Sequence, residues 1–143
     1  VGDITVCTSD LVGTTIEGSV IPRCIDELPT MALLACFANG DTIIKDAKEL
    51  KVKESDRIAV MVDNLSRMGA DVEATEDGMI IHGPCPLHGA EIDTNNDHRI
   101  AMTFAVAGIN ADGVTTLKNA ECVNISYPTF YEDLNSCYNG QNE

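Results

Sequence analysis

The sequence predicts an α+β protein built from a repeated unit of strand, helix, strand, helix and two closing strands, with helices inside and sheets outside. Three observations carry this. Short β-branched runs alternate with longer stretches of helical period along the chain. The chain also repeats itself: Asp26 and Met31 recur at one spacing as Asp97 and Met102, and Gly40, Thr42, Lys45 and Ala47 recur at a slightly wider one as Gly113, Thr115, Lys118 and Ala120. Finally, residues 100–109 are apolar nearly all round and rich in alanine, as in a helix buried on most sides. The first copy of the unit is expected over residues 14–83. The second, lacking its closing hairpin, is expected over residues 90–138.

In chain order, residues 3–10 alternate and are β-branched, so they read as a strand. Residues 11–24 carry two glycines and a proline around a short strand at 14–17. Asp26-Glu27-Leu28-Pro29 opens a helix, with Asp26 as N-cap or first-turn residue and Pro29 in the first turn. That helix runs to Ala38 and stops at Asn39-Gly40. Residues 42–44 are a strand. A strand-like lead-in then gives way near Ser55 to a second helix, with Ile58, Met61 or Val62, Leu65 and Met68 on one face and Asp63, Ser66 and Arg67 outward. Gly69 ends it. Residues 71–75 and 79–82 flank a turn and form a hairpin. A loop with two prolines covers 83–89, and residues 90–93 are a strand. The buried helix comes next, then a strand at 114–117 and an amphipathic helix from Pro128 to about Cys137. The tail at 139–143 is expected to fray.

At 143 residues the chain is long enough for one domain with a real core. Its 44% apolar and 22% charged residues are those of a soluble globular protein. No apolar run approaches the roughly 20 residues of a membrane helix. Val1-Gly2-Asp3 resembles no signal peptide, and the missing initiator methionine hints at a piece of a longer chain. A net charge of −14 argues against nucleic acid and anionic membranes as partners. Six scattered cysteines without a CxxC pair read as reduced thiols of a cytoplasmic protein, several buried as small apolar residues, and not as a zinc site.

Five of the nine Lys and Arg (Lys45, Lys48, Lys51, Lys53, Arg57) nevertheless fall between residues 45 and 57. Glu54 and Arg57 stand i, i+3, a pairing worth about 0.2–0.5 kcal/mol on a helix, and charge at a helix start is commonly solvated. Yet Lys53 and Arg57 are cations at the helix end that disfavours them, and a bound small anion resolves that conflict. Both readings stand open at this point. Asp26 and Asp97 open the first helix of each repeat. Each reads as an N-cap worth about 1 kcal/mol or as part of an anion-holding helix start. Asp97, His98 and Arg99 stand at the mouth of a buried helix, where chargeable side chains need partners or a ligand. His98 alone would read as a satisfied structural histidine.

Lys51-Val52-Lys53-Glu54-Ser55-Asp56-Arg57-Ile58 resembles one signature of the 5-enolpyruvylshikimate-3-phosphate synthase family. Ile92-Asp93-Thr94-Asn95-Asn96-Asp97-His98-Arg99-Ile100-Ala101-Met102 resembles a second, and Ile25-Asp26-Glu27-Leu28-Pro29 and Ser126-Tyr127-Pro128-Thr129-Phe130-Tyr131-Glu132-Asp133-Leu134 also match. The resemblance runs from about residue 14 to residue 136. It implies the enolpyruvyl-transferase fold, two lobes of three βαβαββ units each, with this chain supplying two units of the C-terminal lobe and lacking the N-terminal lobe. It implies transfer of the enolpyruvyl group of phosphoenolpyruvate to the 5-hydroxyl of shikimate 3-phosphate, without metal or organic cofactor, and no turnover by these residues alone. By resemblance Asp26 is the proton acceptor at the shikimate hydroxyls and Glu54 transfers a proton at the enolpyruvyl carbon. Arg57 and Arg99 hold phosphoenolpyruvate, Lys53 lies on the shikimate phosphate side, and His98 supports the phosphoenolpyruvate pocket. Two positions depart from the pattern. Ile125 stands where some members carry a lysine, and Glu49 where some carry an asparagine. The alternatives are a lobe of an enolpyruvyl transferase acting on UDP-N-acetylglucosamine and a folded domain without catalysis. The Lys-Glu-Ser-Asp-Arg and Asp-His-Arg pair argues against the sugar nucleotide.

Overall fold

In the computed structural model, which describes residues 1–139, one complete βαβαββ unit is followed by the first part of another. The first contains β1 (Thr15–Ile16), α1 (Leu28–Ala35), β2 (Gly40–Ile44), α2 (Arg57–Arg67), β3 (Val72–Ala74) and β4 (Met79–Gly83). Its four strands form a sheet in the order β1-β2-β4-β3, with β1 parallel to β2 and the other pairs antiparallel. The second contains β5 (Glu91–Asp93), α3 (His98–Ile109), β6 (Thr116–Lys118) and α4 (Phe130–Asn139), with β5 parallel to β6 in a separate two-stranded sheet.

Register decides which side of the first sheet is buried. Ile44 lies opposite Met79 and Thr42 opposite Ile81, and all four are buried. The next pair outward, Asp41 and His82, points to solvent, where their side chains bond at 2.7 Å. A strand's side chains alternate, so a one-residue slip would exchange these faces. The buried face lies against α1 and α2, and α3 joins them in a core that includes Leu28, Met61, Leu65, Ile92 and Phe104. Helices therefore lie inside, as expected.

α2 forms for legible reasons. Asp56 caps it, its Oδ1 accepting from Ala59 N at 3.1 Å, and Ile58, Met61, Leu65 and Met68 are buried on one face. α3 is buried along most of its length, though Ile109 is 40% exposed at its end. The repeat is also written in the backbone. Gly40 and its counterpart Gly113 adopt φ of 91° and 94°, and Asp46 and its counterpart Asn119 adopt 59° and 53°. Glycine takes the left-handed region without a Cβ penalty. Thr30 of α1 and Thr103 of α3 bring their hydroxyls to 3.2 Å where the two helices meet.

The structure corrects several expectations. Residues 3–10 form no strand and are exposed, with Ile4 at 91% and Val6 at 88%. Alternation favours an extended chain, but a strand also needs a neighbour and a face to bury, and among the described residues they have neither. The lead-in to α2 is a 3₁₀ turn over Lys48–Val52 and not a strand, and another runs over Ala120–Ile125 before α4. α1 starts at Leu28, and Asp26 does not cap it: the N-cap is Glu27, without a side-chain bond. The last strand is displaced to Thr116–Lys118 and the last helix to Phe130–Asn139. The expected fraying concerns a tail that lies, beyond Asn139, outside the described residues.

Phe104 is completely buried at the meeting of α3 with the rest of the core. Phe104→Ala is expected to lower the free energy of denaturant unfolding by about 3–5 kcal/mol. Phe37→Ala, at a position 38% exposed, should change it by under about 1 kcal/mol.

Candidate active site

Arg57, the first residue of α2, is only 1% exposed and is held by three carboxylates. Its Nε donates to Asp97 Oδ2 at 2.8 Å, its Nη1 to Asp26 Oδ1 at 2.9 Å, and its Nη2 to Glu54 Oε2 at 2.6 Å and Asp97 Oδ1 at 3.3 Å. A guanidinium has five N–H groups, so one on Nη1 remains. The partners come from three places: the approach to α1, the turn before α2 and the start of α3. Asp26 and Asp97 are equivalent positions of the two repeats, and Arg57 joins them.

Asp97 is the most completely engaged of the three. It is fully buried and accepts from Ser55 Oγ at 2.9 Å as well as from Arg57. Its Oδ1 also caps α3, accepting from Arg99 N at 2.9 Å and Ile100 N at 3.5 Å. Burial pushes its carboxyl up, but hydrogen bonds and charge from Arg57, with help from Ser55 and the Arg99 N–H, outweigh that and leave it below the usual carboxylate range. Asp26 is lowered too, chiefly by its hydrogen bond from Arg57 and further by the charges of Arg99, Arg57 and Lys53, against a smaller opposing effect of burial. For Arg57 burial alone would weaken the charge, and the bonds to Asp97 and Asp26 more than restore it.

The residues singled out from sequence fall into two layers. Arg57 lies beneath. Asp26 and Glu54 lie half open above it, their side chains 41% and 48% exposed. Arg99 is beside them, with Nη2 3.6 Å from Asp26 Oδ2 and its buried Nε without a partner among the described residues. His98, 7% exposed, begins α3, and its buried Nδ1 is likewise without a partner among the described residues. Lys53 pairs with Glu49 at 2.9 Å. Glu49 is thus a counter-ion for the lysine it precedes. Ile125 is 70% exposed and reaches none of this. The cations at the start of α2, which a bound anion could have explained, are met by the protein's own carboxylates.

Asp97 and Ser55 carry weight that sequence reasoning did not assign them. The repeat held the signal for Asp97: it is the counterpart of Asp26 in the second unit, and equivalent positions converge on one partner. The apolar grooves lie elsewhere, one of about 220 Å³ being lined by residues including Leu11, Ile16, Met31 and Leu34. The polar cluster is an open wall. It offers two half-exposed carboxylates as proton acceptors or donors, with cationic side chains beside them for a carboxylate or phosphate. Among the described residues no group of three or more His, Cys, Asp and Glu is placed to hold a metal ion, and no helix is long and apolar enough to cross a membrane.

Residues 2–134 match the family model described as EPSP synthase (3-phosphoshikimate 1-carboxyvinyltransferase). The chain is 60% identical over 134 residues to the 3-phosphoshikimate 1-carboxyvinyltransferase of Streptococcus suis and 56% identical over 131 residues to that of Roseiflexus sp.. These alignments cover 93% and 92% of this chain but only 32% and 30% of the relatives, so the chain spans about a third of their length. Among solved structures, EPSP synthase from Acinetobacter baumannii superposes with a TM-score of 0.84 at 43% identity, over 88% of this chain and 30% of that one. The enolpyruvyl transferase NikO from Streptomyces tendae superposes with a TM-score of 0.61 at 26% identity, over 87% of this chain and 27% of that one.

The buried cluster has two expected consequences. Asp97→Asn leaves Asp26 and Glu54 as the only carboxylates on Arg57, and should cost about 3 kcal/mol in denaturant unfolding at neutral pH, the low end for a broken buried pair. The folded-state carboxyls of Asp26 and Asp97 lie below their ordinary value of 3.8. Their stabilisation is therefore present above about pH 4 and is lost as pH falls through the lowered folded values. Unfolding midpoints measured against pH should show this acid-side drop, smaller in Asp97→Asn.

Proposed function

The chain belongs to the EPSP synthase (3-phosphoshikimate 1-carboxyvinyltransferase) family, and from this premise we propose that it forms part of the C-terminal lobe of a cytoplasmic enzyme that transfers the enolpyruvyl group of phosphoenolpyruvate to the 5-hydroxyl of shikimate 3-phosphate. The observation that carries the proposal is the convergence of Asp26 and Glu54 on the single guanidinium of Arg57, with Arg99 beside Asp26. Three stretches distant in sequence thereby become one wall with the two carboxylates and the cations that this reaction needs.

In this reading the hydroxyl oxygen attacks the substituted enol carbon while the neighbouring methylene carbon gains a proton. Loss of a proton from the resulting methyl group and departure of phosphate then restore the double bond. Asp26 receives the hydroxyl proton and gives it up to the departing phosphate. Held ionised by Arg57, it is always ready to accept a hydrogen bond from that hydroxyl, though its low basicity means that proton transfer comes only as the oxygen becomes more acidic in the transition state. Glu54 delivers and removes the proton at carbon, with Oε2 fixed by Arg57 and the carboxyl half exposed.

Arg99 makes the first contact with phosphoenolpyruvate, since its nearest carboxylate is 3.6 Å away and its Nε is unengaged among the described residues. Arg57 adds its one remaining N–H from below and keeps both carboxylates aimed. Lys53 faces the shikimate phosphate once it exchanges Glu49 for it, and His98 lines the phosphoenolpyruvate side. The remaining cations come from a facing lobe of a longer chain. Its partners are these small molecules and that lobe, not nucleic acid, and no organic cofactor or metal takes part.

Phosphate release from phosphoenolpyruvate and shikimate 3-phosphate by the full-length protein tests the reading. Asp26→Ala and Glu54→Gln are each expected to lower kcat by about 10²–10⁴-fold, and Arg99→Met to raise the KM for phosphoenolpyruvate. The 143 residues alone should release no phosphate. Turnover by them alone would remove the need for a facing lobe, and activity on UDP-N-acetylglucosamine would replace the shikimate acceptor with the sugar nucleotide.

A further inference from the structure

β5 has one paired edge and one that is not. Just before it, Ala90 O accepts from Thr116 N at 3.0 Å on the side of β6. Successive strand residues turn their peptide groups to opposite sides, so Glu91 and Asp93 face away from β6, where no strand pairs with them among the described residues. α2 supplies side chains in place of a strand. Asn64 Nδ2 donates to Asp93 O at 2.8 Å, and Asp93 N donates to Asn64 Oδ1 at 3.1 Å. One turn further on, Arg67 Nη1 reaches Glu91 O at 3.4 Å. Asn64 is fully buried on the face of α2 that also carries Met61 and Leu65. An amide in that position is costly unless both of its ends are bonded, and here both are bonded to the backbone of one residue.

The turn after Asp93 makes this attachment matter. Asn95 and Asn96 are consecutive non-glycine residues in the left-handed region, with φ of 49° and 55°. A turn of that kind persists only where its surroundings hold it. Asp93 Oδ1 accepts from Asn95 N at 2.9 Å, Thr94 Oγ1 donates to Lys118 O at 2.9 Å, and Asp97 N donates to Thr94 O at 2.9 Å. The turn delivers Asp97, the most engaged partner of Arg57.

We propose that Asn64 is a positioning residue of the active site. By holding the Asp93 backbone it sets the turn over 94–97. Through that turn it places Asp97 and the Arg57 guanidinium, which aims Asp26 and Glu54. The reaction used as one readout rests on the proposed function, while the geometry does not.

The test uses the full-length protein with Asn64→Leu, similar in volume but unable to make either bond. Asn64→Ala, which loses both bonds but leaves room for water beside the Asp93 backbone, serves as the milder second variant if the first fails to fold. In Asn64→Leu, amide hydrogen exchange at residues 97–100 should quicken at least tenfold while the hairpin amides at 72–83 are unchanged. Its kcat should fall at least tenfold, and by a larger factor than KM rises. In an Asp97→Asn background the same substitution should lower kcat less than twofold further, since the route through Asp97 is already broken. Asn64→Ala should show the same pattern at smaller size. Uniform quickening of exchange across the protein, or an equal loss of kcat in both backgrounds, would reduce Asn64 to a core residue and overturn the proposal. If the unsubstituted full-length protein transfers no enolpyruvyl group, the functional reading fails, and exchange at 97–100 by itself decides for or against the Asn64 attachment.

Discussion

A full positive charge at 1% exposure is the constraint that sets the arrangement of this chain. Burying a guanidinium is expensive unless its donors are met by well-placed acceptors. Arg57 meets that demand with Asp26, Glu54 and Asp97. These residues come from the approach to α1, the turn before α2 and the start of α3. The packing of three helices and the pairing of one cation are therefore coupled, because each helps to hold the other in place.

The same condition shapes the open side of the cluster. Asp26 and Glu54 each use one oxygen on Arg57 and remain half exposed. Their orientation comes from the buried arginine and not from each other, so two like charges are held near one another by the cation between them. Asp97, wholly occupied with Arg57, Ser55 and two backbone N–H groups of α3, ties the arginine to the second repeat. An oriented pair of carboxylates on a rigid base is what proton transfer to a positioned substrate requires.

Legibility in the sequence varied with how local the cause is. α2 could be read from its apolar face and Gly69, because period and stop both lie within a short stretch, while its cap, Asp56, came from the structure. The hairpin was equally legible. Residues 3–10 misled, since alternation shows what a segment would bury and not whether a partner strand stands beside it. The repeat was visible in the recurring residues, and the matching backbone angles at Gly40 and Gly113 show that it is structural.

By itself the amino-acid sequence determined the α+β class, the order of the strands and helices from β1 to α4, the repeat, the family signatures and the identity of the charged residues that gather. These depend on short-range propensity, periodicity and residue type. Tertiary structure alone decided that Arg57 lies beneath the wall and Arg99 within it, that Asp97 is an anchor and not merely a cap, and that Asn64 stands in for a missing strand. The physical reason is that burial and the choice of partner depend on groups far apart in the chain, such as Arg57 with Asp26 and Ser55 with Asp97. A cation before a helix looks the same in sequence whether it waits for a ligand or is already met by the protein, and only the packing of α1, α2 and α3 distinguishes the two.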